Sequence, residues 1–107
     1  MSGTDRDIGG YVGSGPSEPC EKLQLTRYLE SPSEAVVATL NVGDTLAVVL
    51  RDESPPLVVA LTESGDEAGG IQPTGQLIDC LRRGVAFAAR VIRINDAAVE
   101  LDVRAVT

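Results

Sequence analysis

A chain of 107 residues has room for one core and no second. Its formal net charge of −7 sets it against nucleic acid and anionic membranes, which an acidic protein repels at long range. It has no histidine, which excludes a Ser–His–Asp or Cys–His site and any imidazole ligand for a metal. Hydrophobic residues make up 43% of the composition but aromatics only 3% (Tyr11, Tyr28 and Phe87), so Val, Leu, Ile and Ala must build the core. The charge is uneven: residues 1–19 carry −2, residues 20–70 carry −6 and residues 71–107 carry +1. Eight arginines against one lysine, beside abundant Ala, Gly and Val, is the residue usage of a GC-rich bacterial genome.

Residues 1–19 are rich in Gly, Ser and Pro without apolar periodicity, which predicts a disordered tail ahead of a single domain over 20–107. They lack the apolar core of a signal peptide, and no run is apolar enough to span a bilayer, so a cytoplasmic protein is expected. Leu23, Leu25 and Leu29 alternate with Gln24, Thr26, Tyr28 and Glu30, the pattern of a half-buried strand in which Arg27 breaks phase. Ser31-Pro32-Ser33 ends it, Val36 to Leu40 is a second short apolar run, and Asn41 to Asp44 reads as a turn.

Leu46, Val48 and Leu50 alternate with Ala47, Val49 and Arg51, a strand nearly apolar on both faces and therefore either central or in contact with a partner. After the Asp52–Pro56 loop, Leu57 to Leu61 forms another strand, and Glu63 to Gly70 reads as a solvated hairpin turn closing it.

One helix is expected: Thr74 precedes it, Leu77, Ile78 and Leu81 form its stripe, and Gly84 stands where it should stop. Two strands, Val85 to Ile94 and Ala97 to Val106, flank a two-residue connection at Asn95-Asp96. In the first of them Phe87, Ala89 and Val91 share a phase that passes to Ile92 and Ile94, the mark of a β-bulge or a barrel corner. The whole reads as a mainly β, five- or six-stranded small barrel, closed or partly closed, with one short helix before the C-terminal hairpin.

Candidate chemistry is sparse. Cys20 and Cys80 stand sixty residues apart and have three readings: buried small hydrophobes, a disulfide tying the first strand to the helix, or reactive or metal-bound thiols. Arg82, Arg83, Arg90, Arg93 and Arg104 crowd the last third; they form either a solvated face paired with Glu100, Asp102 and Asp79 or a site for an anion or an acidic partner. No residue pattern points to a cofactor, a metal or an enzymatic site.

From Val42 on, the order of features resembles the HIRAN domain, a small barrel of DNA-repair helicases and of stand-alone bacterial proteins. The matching stretches are Val42 to Leu46, Val58 to Leu61, Gly70-Ile71-Gln72-Pro73, the helix with Leu77 and Leu81 ending at Gly84, and Phe87 to Val91; the resemblance as a whole covers about residues 42–104. The resemblance implies a barrel that binds single-stranded DNA ends through aromatic and basic residues. Residues 51–57 depart from the family's pattern, and Phe87, the one aromatic after Tyr28, is expected in the core. The residues themselves point first to a non-enzymatic module that binds a protein partner or a second copy of itself, with nucleic acid as the alternative.

Overall fold

The computed structural model describes residues 19–106. The tail expected over residues 1–19 lies, apart from Pro19, outside the described residues. A 3-10 turn at Cys20–Lys22 leads into β1 (Gln24–Tyr28), followed by a one-turn helix α1 (Glu34–Val37) and strands β2 (Thr45–Arg51), β3 (Leu57–Leu61) and β4 (Glu67–Ile71). Helix α2 (Gly75–Arg82) and the hairpin β5 (Phe87–Asn95) and β6 (Ala98–Ala105) complete the fold. The six strands form one antiparallel sheet in the order β1-β6-β5-β2-β3-β4, curled into a half-barrel.

The half-barrel is drawn together where the chain leaves β1. Glu30 and Gly70 exchange both backbone hydrogen bonds at 2.8 Å, and the Ser33 N–H donates to Ala68 O at 2.9 Å. The last strand of the sheet therefore reaches back to the residues that follow the first. The approach is close: a Cβ on Gly69 would stand 2.9 Å from Glu30 O, inside contact distance, whereas one on Gly70 would meet Val58 O at an ordinary 3.7 Å. This explains a difference from the sequence reading. The Glu63–Gly70 stretch is a turn only as far as Asp66, where the Thr62 N–H donates to Asp66 O; from Glu67 it is strand, and Gly69 serves backbone approach, not chain reversal.

Inside the curl lie Leu46, Val48, Val58, Ala60, Ala68, Ile71, Phe87, Ala89, Val91, Val99, Leu101 and Val103, all buried. Phe87 is in the core, as expected, and β2 is central in the sheet, flanked by β5 and β3; its inward residues Leu46 and Val48 are buried, while Ala47 on the outer face is exposed and Val49 half-buried. The bulge expected in β5 falls between Val91 and Arg93, where the register shifts. Ile92 is the extra residue and points outward at 42% exposure; the core phase resumes at Ile94. The hairpin loop is one residue later than expected: Asn95 pairs with Ala98, leaving Asp96-Ala97 as the loop, with Asp96 at φ 57°, a left-handed value Asp tolerates better than most.

The run Val36 to Leu40 is no strand. Ser33 caps its backbone onto Ala68, the chain turns helically through Glu34–Val37, and Val37 and Leu40 are buried. Helix α2 forms as expected: Thr74 Oγ1 accepts from the Leu77 N–H at 3.1 Å, Leu77 and Cys80 are fully buried, and Gly84 follows at φ 88°.

Cys20 and Cys80 are joined by a disulfide, so of the three readings left open the bridge is the one the structure contains. With a separation of 60 residues, the chain-entropy account assigns such a loop closure about 4 kcal/mol. It anchors the chain just before β1 to the buried face of α2.

The glycine contact has a measurable consequence. Gly69→Ala is expected to lower stability by about 1–3 kcal/mol in urea denaturation, the usual cost of overpacking, while Gly70→Ala costs less; equal losses would mean that the Glu30 approach is not the constraint.

Candidate functional site

The five arginines do not form one cluster. Arg82, at the end of α2, is committed to Asp52 in the β2–β3 loop: Nη2 reaches Oδ1 at 2.8 Å and Nε reaches Oδ2 at 3.1 Å, a bidentate pair. Those two hydrogen bonds, with the charge behind them, hold the Asp52 carboxyl below the ordinary aspartate range. Arg83 turns instead to the disulfide, its Nη2 lying 3.1 Å from Cys20 Sγ and 3.8 Å from Cys80 Sγ.

The other three share the outer face of β5 and β6. Strand alternation sends Val91, Leu101 and Val103 inward, so their neighbours face out, and the register lines them up in rows. One row runs Gln24, Arg104, Ala88, Ala47; the next runs Thr26, Asp102, Arg90, Thr45; the third runs Tyr28, Glu100, Arg93. Two carboxylates thus sit among three guanidinium groups, leaving this patch one positive charge in excess.

The pairing within the patch is incomplete. Asp102 is fully engaged, by Arg104 Nη2 at 2.6 Å and Nε at 2.9 Å on Oδ2 and by Gln24 Nε2 at 2.9 Å on Oδ1. Glu100 is not: Oε1 is buried without a hydrogen bond, and the nearest cation, Arg93 Nε, stays 3.5 Å away. Arg93 itself is 71% exposed. Arg90 makes no hydrogen bond or ion pair to any described residue. The expected pairing of arginines with Glu100 and Asp102 is therefore present in part; Asp79 takes no arginine, and Asp52 stands in its place.

Beside these polar groups the face carries apolar surface that the sequence reading missed. Tyr28 is 54% exposed at the head of the third row, and Ile92, pushed out by the bulge, lies next to Arg93. Val42 is exposed in the adjoining turn, where the Gly43 N–H donates to Val91 O. Tyr28 was legible as the outward phase of β1; Ile92 was hidden because a bulge turns two successive residues outward.

The sheet's edges are largely covered. In β1 the Leu29 N–H bond to Val99 O shows that the backbone groups of Leu25, Arg27 and Leu29 face β6, so those of Gln24, Thr26 and Tyr28 face the seam. Arg27, the residue that broke the apolar phase, closes that seam: its Nε donates to Gln72 O at 2.9 Å and its Nη1 to Thr26 O at 3.0 Å. The β4 edge is occupied by Glu30 to Ser33. An incoming strand finds little to pair with on either side.

An open groove of about 890 Å³ lies over the Ala47–Ala88 pair, between the Thr62–Ser64 turn and Val106, with Asp44 and Glu63 as its charged residues. Asp44 already accepts the Asn41 N–H at 2.8 Å, and the groove gathers no set of groups that could do acid–base chemistry. Among the described residues no group of three or more Cys, Asp or Glu is placed to hold a metal ion, and no helix is long and apolar enough to cross a membrane. No protein-family model matches the chain, and neither a curated protein nor a solved structure is detectably similar to it.

Because Asp52 titrates lower in the folded chain than in the unfolded one, its pairing with Arg82 adds stability at neutral pH. That contribution disappears in acid as the pH falls through the lowered value. Carboxyl NMR titration is expected to place Asp52 below the exposed aspartates, and Arg82→Gln is expected to return it to the ordinary range.

Proposed function

We propose that the domain is a non-enzymatic binding module whose contact surface is the outer face of β1, β6 and β5, and that its ligand is a protein segment. The observation that carries this reading is the free cationic capacity of that face: a guanidinium at Arg90 with no partner among the described residues and a 71% exposed Arg93, beside exposed Tyr28 and Ile92. A polypeptide supplies what this face lacks, since its carbonyls and carboxylates suit Arg90 and Arg93. Tyr and Arg beside aliphatic surface is also the residue mixture that concentrates binding energy at protein contacts. The favoured segment is acidic, with apolar side chains to cover Tyr28, Ile92 and Val42.

The alternative is single-stranded nucleic acid, the ligand implied by the HIRAN resemblance. One feature favours it: Tyr28 offers an exposed ring on the same face as Arg90 and Arg93, a stacking surface beside cations. Against it, every phosphate near those arginines also meets Glu100 and Asp102, within a chain of net charge −7. The protein reading is the stronger. Contact is through the face and not by strand addition, because Arg27 and Glu30 cover the edges. A homo-oligomer remains compatible with the same face, and the cytoplasmic placement expected from the sequence stays part of this proposal.

Selection of a random-peptide display library on the folded domain is expected to enrich acidic, apolar-containing peptides. Tyr28→Ala and Arg90→Glu should each weaken them by about tenfold or more, the loss of one contact worth about 1.4 kcal/mol. Enriched peptides indifferent to both substitutions would overturn the placement of the site. Salt-sensitive binding of a labelled single strand with a free 3′ end, lost in the same variants, would replace the protein reading with the nucleic-acid one.

A further inference from the structure

We propose that the Cys20–Cys80 bridge is a thiol–disulfide exchange site, opened by a dithiol reductant with the assistance of Arg83. The two cysteines are not equivalent. Both are buried, Cys80 wholly and Cys20 at 7% exposure, so the attack is assigned to Cys20, the residue nearer the surface, and Cys80 is the sulfur that leaves. Departure from Cys80 needs help. The nascent thiolate appears in the last turn of α2, where the helix dipole disfavours an anion, among the buried side chains that pack around Leu77. Arg83 supplies that help. Its Nη2 stands 3.1 Å from Cys20 Sγ and 3.8 Å from Cys80 Sγ, and it makes no ion pair with any described carboxylate, while its neighbour Arg82 takes Asp52.

The exchange balances within the protein and one dithiol. The reductant's thiolate bonds to Cys20 Sγ, the Cys20–Cys80 bond breaks, and its electron pair leaves on Cys80 Sγ beside the Arg83 guanidinium. The reductant's second thiolate then attacks its own sulfur in the mixed disulfide and expels Cys20 as a thiolate. The protein gains two electrons and, once both sulfurs are protonated, two protons; the dithiol ends as a disulfide. The chain has no third cysteine, so the opened bridge recloses or takes an external thiol and cannot reshuffle internally.

The bridge also sits where its opening matters. Cys20 begins the turn that leads into β1, the outer strand of the face bearing Gln24, Thr26 and Tyr28. Reduction releases that turn from α2 and loosens β1 from its amino-terminal end, so the state of the bond sets how well the contact face is pre-organised. This coupling rests on the binding reading above; the exchange chemistry does not.

The test follows thiol release from the full chain under dithiothreitol in native buffer. The wild-type rate is expected to rise in proportion to dithiothreitol, Arg83→Gln to slow it by about threefold or more, and Arg83→Lys, which keeps a cation, to lie close to wild type. An Arg83→Gln rate equal to wild type would overturn the role of Arg83. A rate independent of dithiothreitol would overturn the site altogether, because reduction would then be waiting for global unfolding. Amide exchange on the reduced protein is expected to quicken over residues 24–28 while β2 and β5 keep their protection. Unchanged protection in β1 would overturn the coupling to the face, and loss of protection everywhere would make the bond a structural staple. Neither result touches the peptide selection, which reads the oxidised protein.

Discussion

The pair of backbone hydrogen bonds between Glu30 and Gly70 is the constraint on which the rest of the half-barrel depends. It brings together residues forty positions apart and draws the sixth strand in the sheet order back to the exit of the first. Once that corner is fixed, the inward phases of all six strands have a shared interior, and a core nearly free of aromatics can fill it with Val, Leu, Ile and Ala. The condition is steric. Only a residue without a Cβ at position 69 lets the backbone of Glu30 come this close, so a feature with no side chain governs where every other side chain can be buried.

The opposite end of β1 is held by other means. The disulfide joins Cys20 to α2, and between the two anchors Arg27 spans the seam with bonds to Thr26 O and Gln72 O. A strand fastened at both ends and sealed along its open side presents its outer face and withholds its edge. That arrangement separates two kinds of contact. Recognition by backbone ladder is closed off, and recognition by side chains is left available on a surface where Tyr28 and Ile92 adjoin the exposed Arg93. The same division explains the charges: Arg82 and Arg104 are consumed by Asp52 and Asp102 in holding structure, whereas Arg90 and Arg93 are not.

Elements whose determinants lie close in sequence were legible. Helix α2 carries its own cap, apolar stripe and terminating glycine, and β6 alternates cleanly enough that its outward residues, Glu100, Asp102 and Arg104, could be read directly. The phase switch in β5 revealed the bulge. What could not be read depends on distant partners. The glycines of β4 look like a turn until Glu30 is seen against them, and the run from Val36 coils because Ser33 is fastened to Ala68. The site divides in the same way. Strand phase sets Arg90 and Arg104 each on the outward side of its strand, but the commitment of Arg82 to a residue thirty positions away and the turn of Arg83 toward the sulfurs, which split the five arginines read as one group, belong to tertiary structure.

The strand order also has a temporal side. Gln24 stands opposite Arg104, so the first strand made is completed by the last. At about 5–20 residues per second, the eighty residues between them take roughly 4 to 16 seconds to synthesise. Throughout that interval β1 has no ladder to join, and β2, apolar on both faces, waits little more than half as long for β5, since Thr45 stands opposite Arg90. The emerging chain therefore leaves β1 without a partner until β6 is made. The hairpin of β2 and β3, the first two strands able to pair with each other, shelters one edge of the apolar β2 while its other edge waits for β5.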